Sequence, residues 1–287
     1  MSKTILVTGA SGNVGSELVR QLAAAGHQVR AFVKNEASAK NLPTHKVELA
    51  FGDYARPATL EAAMRGVDAV YALTPVAEQA TAWMIDIIDA AKRARVKHVV
   101  KHSGYGAHAQ GVTEIARGHA AGDEHLRNSG LSYTILQPNS YMQNLLWQAG
   151  SIQQQGAIYL PLGDARQSVV DVGDIAAVAV KVLTEPGHDK KTYVLSGPQA
   201  LSLAEQAAII AAARGKPVQY VAVPPAAAEE AMKSQGMPAW NAHTIADFMA
   251  YVATGAYADV TGDVKAILGR EPTSFTEFVS RHLDAFR

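Results

Sequence analysis

The sequence predicts an α/β protein: a doubly wound parallel sheet of the Rossmann type, followed by a smaller C-terminal lobe. Three features carry that expectation. Short β-branched runs alternate with longer amphipathic segments through the first half of the chain. A glycine-rich turn joins the first run to the segment after it. The second half then loses the alternation. Strands separated by helical segments of about ten residues or more form βαβ units, and right-handed crossovers place their helices on both faces of a parallel sheet. The expected division is a sheet domain over residues 1–150 and a lobe over residues 151–287, with the stretch 168–196 returning to the main sheet.

In chain order, Thr4–Thr8 is a compact apolar run ended by glycine, as in a buried strand. Val14–Ala25 places Val14, Leu18, Leu22 and Ala25 at helical spacing, with Gly26 at the C-terminal cap. Gln28–Val33 is the second strand and Val47–Ala50 the third, joined by a polar helix or loop. Ala69–Leu73 is a strand closed by Thr74-Pro75. It is followed by a long helix over Ala77–Arg95, a strand over Lys97–His102, a helix over Thr113–Asn128 and a strand over Tyr133–Gln137. In the second half, Val169–Asp171 and Asp174–Leu183 read as a strand and helix rejoining the sheet, and Thr192–Leu195 as a further strand. Ser202–Arg214 is a helix whose Ser202 and Glu205 form a capping-box pattern. Ala226–Ala231 is helical, and Phe275–Phe286 closes the chain as one amphipathic helix.

Composition narrows the function. The 287 residues carry 26 basic and 26 acidic side chains, a formal net charge of zero. Nucleic acid and anionic membrane surfaces recruit proteins through basic patches, so neither is an expected partner. No run approaches the roughly 18 apolar residues of a bilayer span, and Ile5-Leu6-Val7 is too short for a secretory signal core. There is no cysteine, hence no disulfide, thiolate nucleophile or Cys-ligated zinc. A cytoplasmic protein acting on a small molecule is expected. His98 and His102 share a strand face, His119 and His125 are six apart and off-register on a helix, and no carboxylate cluster has metal-ligand spacing, so no metal is expected. Asp171 and Asp174 read as helix-capping residues.

The turn Val7-Thr8-Gly9-Ala10-Ser11-Gly12-Asn13-Val14-Gly15 follows a strand and opens a helix, the context in which a glycine trio binds a dinucleotide. Gly9 permits the sharp turn, Gly12 admits a pyrophosphate close to the backbone, and Gly15 permits tight helix–strand contact. The helix N-terminus then offers N–H groups and its dipole to phosphate. An NAD site places an acid about 20 residues further on. Here the second strand ends Arg30-Ala31-Phe32-Val33-Lys34-Asn35, so Lys34, with Arg30 as a second cation, is poised for a 2′-phosphate, and NADP(H) is the expected cofactor with NAD(H) as the alternative. Asp53 is placed to approach the adenine, and Leu73-Thr74-Pro75 lies where the dinucleotide crosses the sheet.

These motifs resemble the NmrA-like group of atypical short-chain dehydrogenase/reductases. The resemblance extends through Val96-Lys97-His98-Val99-Val100, Tyr133-Thr134-Ile135-Leu136-Gln137-Pro138-Asn139, Asp171-Val172-Gly173-Asp174-Ile175-Ala176 and Gly269-Arg270-Glu271-Pro272-Thr273-Ser274-Phe275. It implies a Rossmann fold, a nicotinamide cofactor and a C-terminal substrate-binding lobe. The group includes bacterial quinone and triphenylmethane-dye reductases, plant ether and isoflavone reductases, and NADP-sensing regulators without catalysis.

Typical short-chain dehydrogenases use a tyrosine with a lysine four residues on, and none of the ten tyrosines here has one. Replacement groups lie at strand ends. Ser103 resembles the family's substrate-orienting serine, and Tyr105 is placed to hydrogen-bond substrate. His119 resembles a position held by histidine in the bacterial quinone and dye reductases, which implies contact with the nicotinamide ribose or a proton relay near neutral pH. Asn139, with Tyr141, Met142 and Asn144, is expected beside the nicotinamide and substrate. Apolar segments at Pro224–Ala231, Met237–Trp240 and Phe248-Met249 are expected to wall the pocket. Three functions fit: an NADPH-dependent reductase of quinones, enones or similar conjugated compounds; a non-catalytic NADP(H) sensor; and a carbonyl reductase or dehydrogenase built on Tyr105 and His119.

Overall fold

The computed structural model describes residues 2–287. Seven strands form the main sheet: β1 (Thr4–Val7), β2 (Gln28–Val33), β3 (Val47–Phe51), β4 (Ala69–Ala72), β5 (His98–His102), β6 (Tyr133–Pro138) and β7 (Lys191–Leu195). Their order is β3-β2-β1-β4-β5-β6-β7, and the pairs from β3 through to β6 are parallel. The chain works outward from β1 to β3 and then jumps back to β4 on the other side of β1. That reversal opens a crevice at the carboxyl ends of β1 and β4, where open α/β sheets take their ligands.

Six helices accompany these strands: α1 (Asn13–Ala24), α2 (Glu36–Ala39), α3 (Pro57–Met64), α4 (Ala80–Arg93), α5 (Glu114–Asn128) and α6 (Val172–Thr184). Leu6, Val70, Val99 and Ile135 of the sheet are buried with Leu60 and Met64 of α3, Ile87 and Ile88 of α4, and Leu126 of α5. Each such aliphatic side chain contributes about 1.5–3 kcal/mol of transfer free energy. Helix α1 buries Val14, Leu18, Val19 and Leu22 and packs along α6. The sequence pattern missed α3: it is short, and only Leu60, Ala63 and Met64 face inward. Pro57 starts it, at the position where a missing N–H costs nothing.

By contact the chain divides into two units. The first comprises Met1–Ala109, Ala116–Gln137 and Val172–Tyr193, and the second Gln110–Ile115, Pro138–Asp171 and Val194–Arg287. The boundary thus falls at Pro138, where β6 ends, and not at residue 150. Val169–Asp171 does not join the main sheet: its one ladder contact is a bridge from Val170 to Tyr141 inside the second unit. That unit pairs Ala157–Leu160 with Gln219–Ala222 in parallel. Its core gathers Ile152, Leu203, Ile210, Phe275, Phe278 and Phe286. The capping box of Ser202 and Glu205 is present, and a second one joins Ser274 to Glu277. The C-terminal helix is two pieces, Phe275–Arg281 and Leu283–Phe286, because His282 leaves helical geometry at φ −113°. Among the described residues no helix is long and apolar enough to cross a membrane.

At the glycine turn the helix start meets the preceding turn backbone to backbone. A Cβ added to Gly15 would lie 2.1 Å from the Gly9 carbonyl oxygen, whereas one added to Gly12 would meet nothing nearer than 3.4 Å. Gly15→Ala is therefore expected to push α1 off β1 and cost about 1–3 kcal/mol, while Gly12→Ala costs at most about 1 kcal/mol. Denaturant melts of the two variants check this, and equal midpoints would refute it.

Candidate functional site

The turn after β1 is held open by hydrogen bonds that cross to β4. The Thr8 hydroxyl donates to the Leu73 carbonyl at 2.8 Å and accepts from the Leu73 N–H at 2.8 Å. Gly9 turns the chain at φ +63°, and its carbonyl accepts the Gly12 N–H at 3.0 Å. Helix α1 then begins with Gly12 at its N-cap, a residue with no side chain to satisfy the first N–H groups. Ser11, Gly12 and Asn13 are exposed there, while Val14 and Gly15 are buried behind them. A helix start with no side-chain cap, facing outward at the sheet's crevice, fits a diphosphate.

Tyr54 braces this turn, and sequence reading missed it. Its hydroxyl accepts the Gly9 N–H at 2.8 Å and donates to the Leu73 carbonyl at 3.1 Å. Its ring stacks on Trp83 with centroids 5.5 Å apart and tilts against Phe32. Burial pushes its phenol up to about 12, so it stays a neutral donor. Gly52 makes room for the Phe32 ring, since a Cβ there would lie 2.3 Å from it.

Around the turn, Lys34 is exposed at the end of β2 and Asp53 is half-buried just after β3. One Asp53 carboxylate oxygen accepts the Ala55 N–H at 3.0 Å, which sets the loop. Leu73 and Thr74 are half-buried and Pro75 exposed at the end of β4. Arg30 does not join Lys34. Its guanidinium is spent on Glu48 and on the carbonyls of Ala63 and Arg65, the last turn and end of α3.

A second polar cluster lies where β5 and β6 meet α5. Lys101 is 1% exposed, and its ammonium donates to Asp123 at 2.6 Å. The other Asp123 oxygen accepts from the Ser103 hydroxyl at 3.0 Å and from the Gln137 amide at 3.2 Å. Ser103 is thus buried, with its hydroxyl given to Asp123. Beside this network, Tyr71 Oη and His102 Nδ1 share a hydrogen bond of 2.6 Å. Burial, with His119 and Lys101 nearby, drives His102 down to about 3. The His119 ring lies against the backbone of Gly104, where an added Cβ would come within 2.9 Å of it. Burial and the Lys101 ammonium also hold His119 far below the usual histidine range. The imidazole is therefore held neutral at pH 7, half-buried against Gly104. Tyr105 is half-buried in the loop leaving β5.

Asn139 is buried in the second unit, and its amide donates to the Ser168 hydroxyl at 2.8 Å and to the Tyr257 carbonyl at 3.0 Å. Its oxygen accepts the Ser140 N–H at 2.7 Å. Both amide hydrogens are thus committed within that unit. Met142 belongs to the core of the same unit, and Trp147 is exposed.

Comparison with known proteins places these features in context. Residues 1–279 match the model of the NmrA-like family. The chain is 41% identical to an NAD(P)H azoreductase of Xenophilus azovorans, over 98% of this chain and 99% of the relative. It is 34% identical to a (4-alkanoyl-5-oxo-2,5-dihydrofuran-3-yl)methyl phosphate reductase of Streptomyces griseus subsp. griseus, over 98% and 99%. Among solved structures it superposes on the NADPH complex of an Escherichia coli NADPH-dependent quinone oxidoreductase with a TM-score of 0.85. Identity there is 29%, covering 97% of this chain and 99% of the other.

The buried neutral histidine gives the fold an acid limit. Unfolded, His102 titrates near 6.5; folded, it does so near 3. The unfolded state therefore binds the extra proton first, and stability present above pH 6.5 is lost as pH falls toward 3. The loss from this group is up to about 1.4 kcal/mol per pH unit. Thermal melts from pH 8 to 4 should be flat above neutrality and slide below it, and His102→Gln should make the slide shallower, His119 carrying the remainder. An unchanged slope in the variant would refute the assignment.

Proposed function

This chain belongs to the NmrA-like family, and we propose that it is an NADPH-dependent reductase of small, conjugated, electron-poor acceptors such as quinones and azo compounds. The observation that carries the reading is an intact dinucleotide cradle in a chain related from end to end to reductases. The related proteins are named for azo compounds, a quinone and an unsaturated furanone. These acceptors share conjugation that spreads incoming negative charge.

The cofactor is NADPH. Gly9, Ser11, Gly12, Asn13, Val14 and Gly15 hold its diphosphate through backbone N–H groups and the α1 dipole. Lys34, exposed at the end of β2, pairs with the 2′-phosphate. Asp53 borders the adenine side, and Leu73, Thr74 and Pro75 line the crossing of the sheet. When bound, NADPH supplies a hydride equivalent to the acceptor. His119 and Tyr105 stand at the carboxyl edge of β5 to orient that acceptor. A neutral His119 holds a hydrogen bond without acting as an imidazolium acid, which suits acceptors protonated by water.

The test follows NADPH absorbance with a panel of quinones, azo dyes and unsaturated furanones. Turnover of at least one class is expected; tight NADPH binding with no acceptor turned over overturns the reading in favour of a sensor. Separately, Lys34→Ala should weaken NADPH binding by about tenfold or more, the worth of one charge-assisted contact, and leave NADH binding unchanged. Equal losses for both cofactors would remove Lys34 from the 2′-phosphate.

A further inference from the structure

Helix α5 carries His119 and Asp123 one turn apart, and one buried side chain reaches both. The Lys101 ammonium donates to the Asp123 carboxylate at 2.6 Å and to the His119 carbonyl at 3.3 Å. Ser103 of the loop after β5 and Gln137 of β6 donate to the same carboxylate. Three elements of the sheet's carboxyl edge are thus tied to one turn of one helix. Close packing fixes the height of that helix. A Cβ at Gly122 would lie 2.8 Å from Lys101 Cε and 3.1 Å from Met84 Cγ, and one at Gly118 would lie 2.8 Å from Thr81 Oγ1. The same approach seats the His119 imidazole on Gly104, where a Cβ would come within 2.9 Å of Cδ2 and 3.2 Å of Nε2.

Stability alone gives this ion pair no reason to exist. Both partners are 1% exposed, and a well-packed apolar pair of similar volume is commonly as stable as a buried salt bridge. An apolar pair would lack two things: the bond to the His119 carbonyl, and an acceptor for Ser103 and Gln137. What the charged pair adds is directional, and it is aimed at the turn that bears His119. We propose that Lys101, clamped by Asp123, is a positioning residue that fixes the His119 imidazole over Gly104 and thereby sets the rate of reduction. The inference rests on the reductase reading for its kinetic consequence, but its structural part stands apart from it.

The experiment compares wild type with Lys101→Met, which keeps the apolar stem and removes the three donors, well below the melting temperature of the variant. NADPH affinity should stay within twofold, because the glycine turn is untouched, while kcat falls by about tenfold or more. In protein labelled with carbon-13 at histidine rings, the His119 signal should move and broaden and that of exposed His45 should not. A folded variant with kcat within twofold and an unmoved His119 signal overturns the proposal. If wild type reduces no acceptor, the reductase reading fails, and the His119 signal still decides the positioning claim. Asp123→Asn is measured alongside and should act in the same direction, since Lys101 without its counter-ion sheds its proton and loses its clamp. Ser103→Ala removes one hydrogen bond and no charge; it serves if the other two fail to fold, with a smaller shift of the same signal expected and no shift counting against the proposal.

Discussion

The contact between Gly15 and the Gly9 carbonyl governs the first unit. A strand that ends facing a helix start must either stand off by a side chain or meet it backbone to backbone. Here a Cβ at Gly15 would fall 2.1 Å from that carbonyl oxygen, so the two backbones are in direct contact. The consequence is geometric: α1 begins immediately beyond β1, and its unanswered N–H groups open at the point where strand order reverses. Everything that holds the turn serves that placement. Thr8 and Tyr54 both bind Leu73, so the end of β4 supports the turn on one side of the crevice.

The other end of the site solves a different problem. At the turn, polar groups are left unsatisfied and outward, which water tolerates until a ligand replaces it. At β5, β6 and α5, polar groups are buried, where an unpaired charge costs several kcal/mol. Every partner named there is therefore answered: Lys101 by Asp123, Asp123 by Ser103 and Gln137, His102 by Tyr71. The first end is open and binds by charge and backbone. The second pairs its buried polar groups internally and holds its imidazoles neutral.

What the sequence revealed follows from the range of each interaction. The turn and the helix it opens are local, so nine consecutive residues announce strand, cradle and helix together. The capping box at Ser202 and Glu205 was readable for the same reason. Tyr54 binds a residue 45 positions away, and Lys101 pairs with one 22 positions away, and neither spacing carries a periodic signature. Ser103 and Asn139 show the same limit from the other side. Both stand at strand ends on the ligand edge, yet alternation along a strand turns such residues inward as readily as outward. Only their partners reveal which, and Asp123, Ser168 and Tyr257 are all distant in sequence. A histidine likewise carries no mark of its burial, which is why a pH-sensitive His119 was expected and a neutral one found.

That neutrality bears on which reaction the site suits. Reducing an isolated carbonyl builds charge on one oxygen and calls for an acid beside it, commonly a tyrosine made acidic by a lysine. This chain has no tyrosine–lysine pair at that spacing, and the Lys101 ammonium is committed to Asp123 and a helix carbonyl. Burial and Lys101 hold His119 neutral, so it starts without the extra proton of an imidazolium acid. An acceptor that spreads the incoming charge over a quinone, an azo linkage or an unsaturated furanone needs no such acid. It needs to be held still and shielded from competing orientations. An uncharged imidazole seated against Gly104 on a closely packed helix offers orientation without an imidazolium acid, a balance that favours conjugated acceptors over simple ketones.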